Sequence, residues 1–174
     1  MTADARAPVE ARIRAAGGAD AAAIAAIYNH YVATSIATFE LEPVAVAEMA
    51  ARIAQVGARG LPWLLAEDAA GVAGYAYAGP WRARAAYRHS VETSIYLAPR
   101  AAGRGIGHSL YAALLDALRD RDVHAVIGGV SLPNPASVAL HERMGFAQVA
   151  RFEEVGFKFG RWIDVGYWQL RLAS

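Results

Sequence analysis

Apolar residues along the chain switch between helical and strand spacing, and the switches mark the expected elements. Residues 11–15 read as a short first strand. Ile24, Ile27, Tyr28 and Tyr31 then recur at the spacing of one helix face, with Asp20 placed to cap its start. A second helix is expected over about 44–57, where Val46, Met49, Ala50 and Ile53 share a face. Pro43 precedes its first turn, and Gly57 and Gly60 punctuate its end. Strands near 62–67 and 72–79 follow, joined by Asp68-Ala69-Ala70-Gly71 as a hairpin. After the loop 79–89 comes the strand 90–97, SVETSIYL, and then a glycine-rich turn. A helix over about 106–120, a strand near 124–131 and a helix over about 135–144 come next. The tail, 146–172, reads as two strands with a turn near Gly160. Strands precede, alternate with and follow helices, which predicts the α/β class with a mixed sheet. With no internal repeat or linker, residues 11–174 are expected to form one domain behind a frayed tail at 1–10.

Composition narrows the chemistry. The 174 residues are 56% hydrophobic, much of it alanine, which suits a globular core. Seventeen basic and 16 acidic residues leave a net charge of +1, so neither a nucleic-acid nor a polybasic membrane partner is expected. The chain has no cysteine, which excludes disulfides, a thiolate nucleophile and a cysteine zinc site. Charges in MTADARAPVEARIR occupy the place of a signal peptide's apolar core. No apolar run approaches the roughly 20 residues that span a bilayer. A cytoplasmic protein is expected. His30, His89, His108, His124 and His141 show no metal-ligand spacing, so no metal is expected.

The strongest local signal runs from Leu97 to Leu110, LAPRAAGRGIGHSL. A strand ends, Gly103, Gly105 and Gly107 alternate, and an amphipathic helix begins. Glycine permits close approach to the main chain, and a helix start offers unpaired N–H groups with partial positive charge. Together these suit a pyrophosphate. It is neither of the commoner phosphate motifs: no Lys-Ser/Thr follows as in a Walker loop, and His108 stands where a dinucleotide fingerprint has glycine. An ordinary glycine-rich turn is the alternative.

Three other places carry candidate chemistry. Glu92 is the one charge in its strand, and alternation puts it on a face with Ser94 and Tyr96, opposite Val91, Thr93 and Ile95. It reads as a positioned base or as a solvated glutamate. Asn134, Ser137 and His141 share a helix face at i, i+3 and i+7, with Asn134 as cap and Pro135 in the first turn. Histidine titrates near about 6.5 and serves as acid or base. In the loop 79–89, Trp81, Arg82, Arg84, Tyr87, Arg88 and His89 interleave cations with aromatics, forming either a charged surface or a clamp for an anion. The aromatics Phe157, Phe159, Trp162, Tyr167 and Trp168 are expected mostly in the core.

Pro99 to Gly107 with Ser109-Leu110-Tyr111 resembles the acetyl-CoA motif of the GNAT superfamily. Leu132-Pro133-Asn134-Pro135-Ala136-Ser137 and Leu140-His141-Glu142-Arg143-Met144-Gly145-Phe146 resemble that superfamily's next helix and strand. Tyr28-Asn29-His30-Tyr31, Thr38-Phe39-Glu40, Gly79-Pro80-Trp81-Arg82-Ala83-Arg84 and Gly156 to Gly166 are similar to the phosphinothricin and methionine sulfoximine N-acetyltransferases within it. The likeness covers about residues 11–172. One departure is Ala102, where the motif usually opens with Gln or Arg.

The resemblance implies a central, twisted, mostly antiparallel sheet flanked by helices and splayed between its fourth and fifth strands. It implies acetyl-CoA as co-substrate, held by the backbone of Thr93, Ser94, Ile95, Tyr96 and Leu97, by Ala102, Gly103, Arg104, Gly105, Ile106 and Gly107, and by Asn134 and Ser137. A main-chain N–H near a β-bulge would polarise the thioester carbonyl. Glu92 is implied as the base, and His141 stands where many members carry a general-acid Tyr. Phe39, Trp81, Arg82, Arg84, Tyr87, Ser90, Val91 and Glu92 are implied at the acceptor. The implied reaction moves acetyl to the primary amine of a small amino-acid-like molecule of the phosphinothricin, methionine sulfoximine or methionine sulfone type, by direct attack in a ternary complex. Another amine (an ordinary amino acid or a protein N-terminus) and a non-catalytic acyl-CoA sensor are the alternatives. By analogy a homodimer is expected.

Overall fold

The computed structural model describes residues 11–172; the expected tail at 1–10 lies outside the described residues. The elements are β1 (Arg12–Ala15), α1 (Ala21–Thr34), α2 (Val46–Ala58), β2 (Trp63–Asp68), β3 (Gly71–Pro80) and β4 (Ser90–Leu97). They continue with α3 (Ile106–Arg119), β5 (Ala125–Leu132), α4 (Pro135–Arg143), β6 (Ala147–Lys158) and β7 (Arg161–Arg171). The strands join one sheet in the order β1-β2-β3-β4-β5-β7-β6, antiparallel except where β5 runs parallel to β4.

That parallel pair is short. Ser90 to Thr93 pair with Ala125 to Gly128, and there the ladder ends. β5 stays on β7 as far as Leu132↔Asp164, while β4 stays on β3 as far as Leu97↔Gly74. The Tyr31 hydroxyl of α1 donates to the Leu97 carbonyl at 2.5 Å and helps hold β4 away from β5. The expected splay is therefore present. The expected bulge is not found in β4, whose register with β3 is unbroken from Pro80↔Val91 to Gly74↔Leu97. The gap opens on the β5 side by separation, so no extra residue is needed.

Helices cover both faces. The apolar face of α3 puts Leu110, Tyr111, Leu114, Leu115 and Leu118 at 1% exposure or less. Tyr111 reaches Thr93, whereas Tyr28 and Tyr31 of α1 meet Tyr96, a neighbour of opposite parity on β4. So α3 and α1 lie on opposite sides of the sheet. Leu114→Ala is expected to lower stability by about 2–5 kcal/mol, seen as an earlier midpoint in urea unfolding.

Three expectations are corrected. Asp20 does not cap α1 with its side chain: a 3-10 turn over Gly18–Asp20 begins earlier, and its carboxylate accepts from the Gly17 amide at 2.8 Å and from Arg14 at 2.7 Å. The second helix starts at Val46, because its N-cap Ala45 is extended and Val44 before it is held by paired hydrogen bonds with the Asn29 side chain. Among the late aromatics Trp168 is buried, but Phe157, Phe159 and Trp162 are exposed at the far end of the β6–β7 hairpin, where β6 is the sheet's last strand.

Candidate active site

A cleft of about 430 Å³ fills the gap between β4 and β5. Thr93, Ser94, Ile95, Tyr96 and Leu97 form one wall, with α4's Asn134, Ser137 and His141 across it. Ala102, Gly103, Gly105 and Gly107 close one end. Gly103 and Gly105 take φ of +73° and +80°, the left-handed region that side chains resist. Gly105 is the N-cap of α3, and no side chain there bonds the first-turn amides. A Cβ on Gly107 would stand 3.2 Å from Leu97. Bare amides at a helix start, beside a narrow slot, suit a diphosphate with a long thin tail.

Two residues of that turn do something else. Ile106 is buried in the core. Arg104 donates to Asp68 at 3.2 Å, and Arg100 grips the same carboxylate with contacts of 2.7 and 2.9 Å. These ion pairs hold the Asp68 carboxyl below its usual range and tie the glycine turn to the β2–β3 hairpin. Arg104 therefore braces the turn and is not among the cleft's lining residues.

Glu92 and His141 approach β5 from opposite faces at two adjacent glycines. A Cβ on Gly129 would lie 3.2 Å from Glu92 Oε1, and one on Gly128 would lie 2.3 Å from His141 Nε2. Side chains at either position would displace the candidate group. The Glu92 carboxyl is pushed above its ordinary pKa by burial, against a partial opposing pull from Arg82. His141 is 3% exposed, and burial lowers its pKa despite a backbone hydrogen bond that opposes this. That bond joins Nδ1 to the Ser137 carbonyl at 2.8 Å. A carbonyl accepts only, so Nδ1 carries the proton and Nε2 of the neutral ring is an acceptor. Asn134 caps α4 through the Ser137 amide at 3.1 Å.

A second cavity, of about 330 Å³, lies on the Glu92 face under the loop that follows β3. Trp81, Arg82, Tyr87 and Ser90 line it, with Ile127, Phe152, Tyr167 and Gln169 among its other walls. Arg82 lies 4.4 Å over the Trp81 ring, and Trp81 packs edge-on against Tyr167. Arg84 and Phe39 are not among its walls: Arg84 is exposed beside the 3-10 turn Ala85–Tyr87, and Phe39 packs against Gly156. Val91 is buried at 2%, on the opposite face from Glu92.

Sequence reasoning missed Tyr111, which shares a 2.7 Å hydrogen bond with Thr93 and meets the His141 ring edge-on. It missed Tyr167 and Gln169 as well. The signal available for the site's centre was Gly128-Gly129 inside a strand, a mark of close approach to the backbone. Among the described residues no group of three or more His, Asp or Glu is placed to hold a metal.

Residues 13–166 match the family model described as Acetyltransferase (GNAT) domain. The phosphinothricin N-acetyltransferase of Streptomyces viridochromogenes is 42% identical, over 94% of this chain and 88% of that protein. The L-methionine sulfoximine/L-methionine sulfone acetyltransferase of Pseudomonas paraeruginosa is 39% identical, over 94% and 96%. The structure of a phosphinothricin acetyltransferase from Sinorhizobium meliloti in complex with acetyl-CoA superposes with a TM-score of 0.90 at 40% identity, over 93% of this chain and 88% of that one. With the splayed β4–β5 pair and the glycine turn at the start of α3, these matches place the chain in the GNAT acetyltransferase family.

Proposed function

We propose that this chain is an N-acetyltransferase that moves acetyl from acetyl-CoA to the primary amine of a small amino-acid-like acceptor, of the phosphinothricin, methionine sulfoximine or methionine sulfone type. One observation carries the reading. The cofactor-sized cleft includes Gly129 among its walls, and Glu92 stands over that glycine on the face that holds the Arg82 cavity. A donor in the first cavity and an acceptor in the second would meet beside this carboxylate, which lines neither cavity itself but stands next to Gly129 of the first and Tyr167 of the second.

Amine acylation needs a neutral amine, a stabilised carbonyl oxygen and close alignment. Glu92 takes the proton of the acceptor ammonium, and its raised pKa brings it nearer the amine's, which favours transfer. The nitrogen attacks the thioester carbonyl directly. The edge of β4 beyond Thr93, released from β5, offers main-chain donors to the developing oxyanion. Arg82 pairs with the acceptor carboxylate. Apolar Ile127 and Phe152, with Gln169, contact its side chain. His141 holds its proton at Nδ1, on the Ser137 carbonyl, so the second proton that the attacking nitrogen sheds passes through water to the departing thiolate.

Measured as thiol release against phosphinothricin, methionine sulfoximine, methionine sulfone and unrelated amines, turnover is expected with the first three. Initial rates are expected to give intersecting lines. Parallel lines would mean an acetyl-enzyme and remove the direct-attack mechanism; no turnover with any amine would favour a sensor.

The reading includes a cytoplasmic homodimer. No helix among the described residues is long and apolar enough to cross a membrane. Phe152, Phe157, Phe159 and Trp162 expose apolar rings on the β6–β7 hairpin, each more than half accessible, and a second copy is the proposed cover. Sedimentation equilibrium is expected to return twice the 18.5 kDa chain mass.

A further inference from the structure

Thr93↔Gly128 is the last rung of the parallel ladder, and a chain of buried hydroxyls sits at that rung. Thr93 is 4% exposed, and its Oγ1 lies 2.7 Å from the Tyr111 hydroxyl and 3.4 Å from the Ile127 carbonyl of β5. A carbonyl only accepts, so the Thr93 proton points to Ile127 and the Tyr111 hydroxyl donates to Thr93. Donation therefore runs from Tyr111 to Thr93 to Ile127. It links α3 to β4, and β4 to β5, at the place where the two strands separate.

Tyr111 is fully buried in the apolar face of α3. Its ring stacks on Phe146 with centroids 5.6 Å apart and meets His141 edge-on at 5.3 Å. Among the described residues its hydroxyl has one partner, Thr93. Phenylalanine would pack as well there, and a buried hydroxyl costs desolvation that only its hydrogen bond offsets. That bond goes to a residue lining the cofactor cleft, and Ser94 to Leu97 continue the same wall along the edge that β5 has released. The far end of this edge is held in a matching way, by the Tyr31 hydroxyl on the Leu97 carbonyl. One tyrosine from each face of the sheet thus fixes an end of the released edge.

We propose that Tyr111 is a positioning residue for acetyl transfer: by fixing Thr93 against Ile127, its hydroxyl sets where the released edge of β4 begins, and so where that edge's main-chain donors stand against the thioester carbonyl. This rests on the reading of the released edge as the site of the developing oxyanion. In the same reading the diphosphate is held by the bare amides of the glycine turn, which do not use this hydroxyl. Removing it takes the donor from a buried Thr93 oxygen and loosens the last rung. A displacement of order 1 Å at a reacting group costs up to about 100-fold in rate.

The test uses the full chain with Tyr111→Phe, Thr93→Val, the double variant of the two, and Leu114→Ala. Tyr111→Phe is expected to lower kcat about 10-fold or more, with the calorimetric Kd of acetyl-CoA within about 3-fold. Leu114→Ala truncates the core one turn along the same helix; it is expected to lower Tm further, yet to keep kcat within about 3-fold while folded. The double variant replaces both hydroxyls by apolar groups of similar shape, so its Tm is expected to rise above that of Thr93→Val. Its kcat is expected to stay as low as the poorer single variant, because the link to Ile127 is still missing. Amide hydrogen exchange at 92–93 and 127–128 is expected to quicken in Tyr111→Phe, with 74–77 of β3 unchanged. Full kcat in Tyr111→Phe, a kcat that recovers together with Tm in the double variant, an equal kcat loss in Leu114→Ala, or a rise in Kd that matches the kcat loss would each overturn the proposal. Exchange needs no turnover, so if the unaltered protein acetylates nothing, the functional reading falls, while unchanged exchange at 92–93 and 127–128 still rejects the role of Tyr111.

Discussion

Replacing Glu92 by glutamine is expected to cut kcat by about 100- to 10,000-fold, the usual range for a lost general base, with little change in acetyl-CoA affinity. Glutamine keeps the shape that fits over Gly129 and removes only the proton acceptor. The pH profile separates this from damage to the fold. Burial raises the Glu92 pKa, so kcat/KM of the unaltered protein is expected to fall below an acid limb lying above the ordinary glutamate value, and the residual activity of the variant is expected to lack that limb. The same shift sets the sign for stability. The folded protein binds this proton more tightly than the unfolded chain does. The contribution of Glu92 to stability is therefore complete below the unfolded-state pKa and is lost as pH rises through the folded one. At neutral pH the ionised side chain is a net cost, and Glu92→Gln is expected to melt at or above the Tm of the unaltered protein. A variant that lost activity and Tm together would show a structural defect instead. Full activity across pH would remove Glu92 from the mechanism.

The second large effect is expected at the glycine turn. Gly105→Val is expected to weaken acetyl-CoA binding by about 10- to 100-fold in calorimetry, following a strain of about 1–3 kcal/mol for a branched residue held at positive φ. Gly105 sits at φ +80° as the N-cap of α3. A branched side chain there either moves the cap or stands over the bare amides. In the structure itself a Cβ at this position meets nothing within 4 Å, so the loss should come from conformation and from blocked approach, not from a clash with the fold. Unaltered affinity would mean that the diphosphate is held elsewhere. Gly103 has the same left-handed geometry, and its valine variant serves as a parallel case.

Ala102 fits this picture. A motif that usually opens with a polar side chain has lost one here, and the remaining arginine of the turn is taken by Asp68. In the proposed reading the cradle is backbone, bounded by Gly103, Gly105 and Gly107, and the turn is braced from the β2–β3 hairpin by the Arg100–Asp68–Arg104 ion pairs. Charge in this turn sets shape before it meets any ligand.

Much of this was legible from residue order because the causes are local. The face of α3 follows from Leu110, Leu114 and Leu118 at helical spacing, the hairpins from Asp68-Ala69-Ala70-Gly71 and Gly160, and the cap of α4 from Asn134 beside Pro135. Where expectation failed, a distant partner had decided. Asp20 was a reasonable cap until Arg14 and the Gly17 amide claimed its carboxylate. The aromatics of β6 and β7 suggested core, yet strand order puts β6 at the sheet edge, and Phe157 and Trp162 are exposed there.

By itself, then, the order of residues determined the elements, the strand–turn–helix that frees main-chain amides, and the types of side chain offered for catalysis, because spacing and backbone preference act over a few residues. Only the tertiary structure decided which of those side chains meet. Glu92 and His141 lie 49 positions apart and come to opposite faces of one glycine pair because β4 and β5 run parallel for four residue pairs and then part there. Burial, which sets the opposite pKa shifts of these two groups, is likewise a property of the packed sheet and its covering helices, and it has no counterpart in the extended chain.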